Sequence, residues 1–529
     1  MSRSFKNISV VATATLVSRF LGLGRDMLVT AVFGTSALAS SFYTAFTLPN
    51  LFRRLLGEGA LTAALVPTLS DELKARRRAG AFALVNNVAS WLLLVCGGLV
   101  VISMGLLAMA ARLGPELQAL GLPAGTVRRW LEAADLAVIL FPYLLCVCLA
   151  AVFSAALQML ERFLEPALSP IWLNVAMIAL LAGAVYGGWS PGARGHMLWL
   201  CAGTLLGGAL QLGVPALALV REGWRPRPDF AVSAPLRQIT RLMGPTLFGS
   251  AIYLINMAVS RLAGHALNDS AVTVLNLASR LMELPIGVFA VAVSTVIFPL
   301  ISAYAAAGDQ ANLASAYRKG MRLILVINVP AAVGLAVLAT PIIRLLFQRG
   351  AFDPSDTAMM QPVLIVSAAG LPFFSFVNLV LRAFYAQKDT ATPVRAAALS
   401  FGVNLVLTLA LMRPLGTVGL AIAGNVAVMV QAWWLQRALT RRHADFGFGH
   451  LARDLGKVAL ASAVMGAVVA AGWWAWLQFQ PPRKAADLPG VLLLVTTGVA
   501  VYAAAIWALR IEGREDLAAV WAKVKAKFA

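Results

Sequence analysis

Apolar stretches recur along the whole chain, separated by short connections that carry proline, glycine and charge. A spanning helix needs about 20 mostly apolar residues, and that criterion predicts about fourteen of them. They cover approximately 8–33, 37–70, 81–111, 132–160, 166–188, 196–220, 237–264, 271–304, 317–346, 357–385, 393–413, 418–440, 453–478 and 489–510. Connections such as Trp189-Ser190-Pro191-Gly192 and Arg225-Pro226-Arg227-Pro228-Asp229 read as turns. The second segment is long and interrupted by Pro49 and by Gly57-Glu58-Gly59. Such breaks are tolerated at membrane depth where the backbone is buried in protein or lines a cavity. The N-terminus runs from Met1-Ser2-Arg3-Ser4-Phe5-Lys6 into an apolar stretch that continues to Phe33. That is longer than the short core of a signal peptide, so it reads as an uncleaved first span. The predicted fold class is an all-α polytopic membrane protein.

Composition agrees. The 529 residues are 60% hydrophobic and 12% charged, against roughly 25% charged in ordinary soluble domains. Disorder and an ordinary soluble enzyme are excluded on this ground. The 43 Lys+Arg against 23 Asp+Glu give a formal net charge of +20, which by itself points to a polyanionic partner. Where the surplus sits changes that reading. With the N-terminus inside, 27 of the 43 basic residues fall in cytoplasmic connections, 9 on the opposite side and 7 within spans. The bias places both termini in the cytoplasm and removes the need for a nucleic-acid partner. Cys96, Cys146, Cys148 and Cys201 lie in apolar runs without metal-type spacing, and His196, His265, His443 and His450 are scattered. No metal site or cofactor is predicted.

The seven basic residues inside spans are all arginine: Arg19, Arg25, Arg53, Arg54, Arg261, Arg280 and Arg382. The acids at comparable depth are Asp26, Glu58 and Glu283. An arginine facing lipid at mid-membrane costs roughly 2.5–3.5 kcal/mol even on the lenient insertion scale. Several of these must therefore line a protein interior that is wet or holds an anion. In Ser18-Arg19-Phe20-Leu21-Gly22-Leu23-Gly24-Arg25-Asp26, the glycines permit local unwinding. On an unbroken helix Arg19 and Asp26 share a face, which would offset Arg19 and leave Arg25 unpaired. Arg54 and Glu58 stand at i, i+4 and can pair, while Arg53 points about 100° away as the better ligand contact. Arg280 and Glu283 stand at i, i+3, and Arg261 and Arg382 lie near span ends, where snorkelling explains them. The functional set is then Arg19, Arg25, Arg53 and Arg280, with Asp26, Arg54, Glu58 and Glu283 in support. Guanidiniums in excess of carboxylates imply an anionic ligand, and planar bidentate donors suit phosphate. The competing reading is a structural ion-pair cluster that holds helices together. A faint internal repeat relates Asn50-Leu51-Phe52-Arg53-Arg54-Leu55 to Asn276-Leu277-Ala278-Ser279-Arg280-Leu281. It suits two homologous bundles with a substrate site between them.

The stretches SRFLGLGRD (Ser18–Asp26), LPNLFRRLLGEGALTAALVP (Leu48–Pro67), LNLASRLMELPIGVFAVA (Leu275–Ala292) and RAFYAQKDTATPV (Arg382–Val394) resemble the MurJ/MviN family. These are the lipid II flippases of bacterial peptidoglycan synthesis, within the multidrug/oligosaccharidyl-lipid/polysaccharide exporter superfamily. The resemblance implies fourteen helices: a first lobe over 1–235, a second over 236–442, and two extra C-terminal helices with a cytoplasmic tail over 443–529. It implies a monomer of the bacterial inner membrane, with Arg19, Arg25, Arg53 and Arg280 on the family's cavity arginines, which engage the diphosphate of lipid II. Ser40, Ser260 and Ser279 stand where acids are common in the family. Asn256, Asn404, Thr408 and Asn425 carry no acid where some members bind sodium, so ion coupling is not carried over.

The expected mechanism is alternating access without covalent chemistry, the head group crossing a basic cavity while the polyprenyl tail stays in lipid. The alternative is an exporter of another polyprenyl-linked glycan or of an amphipathic drug, although a drug exporter more often shows acids and aromatics in its cavity. A membrane-embedded glycosyl- or phosphotransferase would need a carboxylate cluster, and Asp71, Glu72, Asp229, Asp353 and Asp356 are too dispersed to form one.

Overall fold

Long apolar runs with few helix breakers leave the backbone little choice but to satisfy its hydrogen bonds within each segment, and the chain is built accordingly. The computed structural model describes residues 3–53, 61–112, 116, 123–449, 451–479 and 484–511. Among them there are helices and connections and no strand. In chain order the helices are α1 (Arg3–Phe33), α2 (Ala37–Phe52), α3 (Leu61–Arg112), α4 (Ala124–Leu140), α5 (Tyr143–Met159), α6 (Leu164–Tyr186), α7 (Gly192–Arg221) and α8 (Ala234–Leu267). They continue with α9 (Ala271–Ala307), α10 (Gln310–Val337), α11 (Ala339–Leu346), α12 (Pro354–Ala386), α13 (Ala391–Arg442), α14 (Leu451–Phe479) and α15 (Lys484–Ala508).

Among the described residues, eight helices are long and apolar enough to cross a membrane, or nine if the bent pair α4–α5 is one span. Two of the eight run across a predicted connection: α3 joins the end of the 37–70 stretch, which it shares with α2, to 81–111, and α13 holds both 393–413 and 418–440. Helix α3 is interrupted at Arg76 and Arg77, whose φ is 52°, and α13 at Gly416, whose φ is 58°. Both breaks fall in the connections that hydropathy marks.

Two predicted spans are themselves broken. The stretch 132–160 divides between α4 and α5 with a bend of 42°, where Pro142 has no N–H to give the preceding turn. The stretch 317–346 divides at Leu338, the cap shared by α10 and α11, three residues before Pro341. Conversely, α1 runs unbroken through Gly22 and Gly24. The unwinding those glycines permit does not occur, because α1 packs along α6 and that contact outweighs their weak propensity.

The chain forms two compact units: residues 1–273 with 350–352, and residues 274–349 with 353–529. In the first, α6 and α7 approach to backbone contact through Gly203 and Gly207. A Cβ on Gly203 would lie 2.8 Å from Met177 Cα, and one on Gly207 2.8 Å from Leu173 Cα. This is small-residue packing at a four-residue interval, and it fixes the rotation of α6. The apolar core around it includes Phe42, Leu65, Leu136, Leu144 and Leu200.

In the second unit, α14 and α15 are fastened to α10 and α11. Arg322 pairs with Asp454 at 3.2 Å, Arg344 forks onto both Asp487 oxygens, and the Tyr502 hydroxyl donates to Val326 O at 2.8 Å. Val326, Leu338, Val458, Met465 and Leu494 pack between them.

Candidate functional site

The α6 backbone at Leu173 and Met177 lies against α7, and the Asn174 side chain, together with the Met177 sulfur, reaches α1. There it meets Arg25. The Asn174 amide donates to Ser18 O (3.2 Å) and Pro170 O (3.0 Å), and its Oδ1 accepts from Arg25 Nη1 at 3.2 Å. Arg25 Nε and Nη2 both donate to Asp26 Oδ1, at 3.0 and 2.7 Å, and Met177 Sδ lies 3.9 Å from Nη1. The Arg25 side chain is 10% exposed and Asp26 is fully buried. A buried charge needs a partner and satisfied donors, and both are present here.

This arrangement corrects one expectation. Arg25 is paired with Asp26, although adjacent helix positions point about 100° apart. The long arginine side chain folds back to its neighbour's carboxylate, so helical-face arithmetic at Cα misses the pair.

Arg19, on the same helix, is exposed on the protein surface. Arg53 follows the last residue of α2, half-buried, with Nε donating to Asn50 Oδ1 at 2.8 Å. Arg54 and Glu58 lie outside the described residues. In the second unit, Arg280 on α9 donates to Glu283 Oε2 at 2.7 Å, with 29% of the arginine and 53% of the glutamate side chain exposed. The Arg382 guanidinium stands over the Phe298 ring at 4.9 Å.

Within the first unit the structure brings Arg25 and Asp26 together with Asn174, which sequence reasoning missed. A signal was available: Asn174 is the one amide inside the apolar run Ile171–Leu181, four residues after Pro170. A second polar group, Arg129 with His265 and Asp269, was also missed. Its members were counted as loop charges or as scattered histidine, and 136 residues separate Arg129 from His265.

Comparison with known proteins gives a consistent result. A family model described as "Lipid II flippase MurJ" matches residues 29–481. A "Probable lipid II flippase MurJ" of Rhizobium meliloti is 34% identical over 455 residues, covering 85% of this chain and 82% of that protein. One of Vibrio cholerae is 31% identical over 463 residues, 85% of each. The solved structure titled "Lipid II flippase MurJ, inward closed conformation" superposes with a TM-score of 0.73 at 25% identity, covering 94% of this chain and 99% of that one.

Proposed function

The chain belongs to the lipid II flippase MurJ family, and from that membership we propose that it carries lipid II across the bacterial inner membrane as a transporter, not an enzyme. The work is non-covalent. A diphosphate head group must leave water at one face and regain it at the other, and the protein supplies compensating positive charge along the way. The observation that carries this reading is the buried Arg25, pre-set on α1 by Asp26 and Asn174. Holding a guanidinium in a fixed orientation lowers the ordering cost of gripping an anion.

Arg19, Arg53 and Arg280 are proposed as the accessible members of the same set, with Glu283, Arg54 and Glu58 tuning their charge. Arg25 donates to phosphate when it exchanges its Asn174 contact for the ligand. Arginine suits this task because its planar fork meets two phosphate oxygens at once.

The proposed topology has about fourteen spans with both termini inside, in lobes 1–235 and 236–442 plus a C-terminal pair over 443–529, acting as a monomer. Alternating access then needs no bond chemistry. An interior-negative potential assists an outward-moving anion by roughly 2.3 kcal/mol per charge per 100 mV.

The test is complementation of a flippase-depleted cell together with transport of labelled lipid II in vesicles. Arg25→Ala and Arg280→Ala are expected to abolish both. Full transport by both variants would remove the arginine assignment, and an unmodified protein unable to move lipid II would remove the substrate.

A further inference from the structure

Beyond the arginine set, three elements of the first compact unit are tied by a polar knot that the transport reading leaves unused. Arg129 on α4 is nearly enclosed, with 11% of its side chain exposed. Its guanidinium holds four acceptors: Asp269 Oδ1 at 2.9 Å, Ala266 O at 3.0 Å, His265 O at 3.1 Å and Thr126 Oγ1 at 3.1 Å. The two carbonyls belong to the last turn of α8, where the helix itself supplies no donor. His265 answers across the same contact. Its Nε2 lies 3.0 Å from Arg129 O and its Nδ1 3.2 Å from Thr44 Oγ1 on α2, and the ring stands edge-on to Trp130 at 4.8 Å.

The donor accounting is informative. A carbonyl can only accept, so Nε2 carries a proton. The Thr44 hydroxyl also lies 2.8 Å from Ser40 O, so its single hydrogen has two destinations. With a neutral ring it turns to Nδ1. With a charged ring Nδ1 donates to Thr44 Oγ1, and the hydroxyl turns to Ser40 O. Both protonation states keep the ring's two hydrogen bonds, so what changes is charge: the imidazolium is set against the Arg129 guanidinium. Burial favours the neutral ring; the Arg129 carbonyl favours the charged one, the Arg129 guanidinium opposes it, and Asp269 from the turn after α8 assists it, the net direction being toward the neutral ring. Arg128 stands 3.9 Å from Asp269 and weakens that assistance, while α2 presents the neutral Thr44.

In chain order α8 opens the second proposed lobe, yet it packs within the first compact unit. We propose that the His265–Arg129 knot is a proton-sensitive outer latch. It holds the α8–α9 corner on α2 and α4 in the closed state, and protonation from the outer aqueous phase releases it. This rests on the proposed orientation and on alternating access. The sign follows from linkage. A state that buries a neutral imidazole is favoured above the ordinary histidine value of about 6.5 and loses that advantage as pH falls. The loss is at most about tenfold per pH unit for one proton.

Hydrogen–deuterium exchange on the full-length protein in lipid nanodiscs tests it. After correction for intrinsic exchange, residues 123–130 and 265–273 should lose protection between about pH 7.5 and about pH 5.5. His265→Gln keeps a donor for Arg129 O and an acceptor for Thr44 but takes no proton, so its protection should stay flat. Asp269→Asn, which removes the charge that assists protonation, should move the transition to lower pH. A flat response in the unmodified protein, or an unchanged response in His265→Gln, overturns the latch. Lipid II transport by the same preparations is read separately. A pH-dependent corner in a protein that does not flip supports the knot and removes the transport reading, whereas flipping with a flat corner does the reverse.

Discussion

Arg25 and Arg280 look alike in the sequence: each is an arginine within an apolar segment with an acid close by. The structure separates them. Arg25 is enclosed, forked onto a fully buried Asp26 and braced by an amide from another helix. Arg280 donates within its own helix turn, at 2.7 Å, to a glutamate that is more than half exposed. The first is a fixed charge whose removal damages the fold. The second, on the proposed reading, is the charge that faces water and meets the ligand. Membrane arginines therefore differ less in cost of insertion than in what holds them.

That contrast can be broken by substitution. Arg25→Ala takes the guanidinium from a buried carboxylate, and about 3–5 kcal/mol of stability should be lost, visible as a lowered thermal midpoint in detergent along with lost transport. The double change Arg25→Met with Asp26→Leu should recover most of that stability, since a buried pair is often replaceable by apolar residues of similar volume. Transport should stay absent. Recovery of transport would make the pair purely structural. Asn174→Ala removes the brace on the charged Arg25, at a cost of about 1.5–3 kcal/mol, with transport reduced but measurable. Arg280→Ala should change stability by less than about 1 kcal/mol while abolishing transport. An equal stability loss in Arg25→Ala and Arg280→Ala would erase the distinction.

The smallest effect is expected in the first unit, at the connection that follows α7. There a hydrogen bond from Arg162, with Arg78 adding its charge, holds the Glu222 carboxyl below the ordinary carboxylate range. A depressed carboxylate contributes stability above its unfolded value of about 4.3 and loses it as pH falls through the folded value. Thermal midpoints measured from about pH 6 down to about pH 3 should therefore decline more shallowly in Glu222→Gln.

Much of the fold was legible because hydropathy and helix breakers act locally. The connections predicted near residues 71–80 and 414–417 coincide with the breaks at Arg77 and Gly416. Pro142 and Pro341 went unread as breaks because the apolar run continues past them, and hydropathy does not register a missing N–H. At the site, the arginines were legible from their cost in a membrane. Their partners were not. Asp26 reaches Arg25 through side-chain length that Cα geometry ignores, and Asn174 arrives only because Gly203 and Gly207 set the rotation of α6. The knot at His265 joins residues far apart in sequence, so periodicity could not expose it.

The central claim is that fixed and accessible arginines together carry a diphosphate across the membrane. Its most direct measurement is binding and flipping of lipid II by the Arg25→Met, Asp26→Leu double variant and by Arg280→Ala, each first shown to be folded. The account predicts that both stay folded, both lose flipping, and both bind an undecaprenyl diphosphate more weakly than the unmodified protein. Undiminished flipping by either folded variant would contradict it.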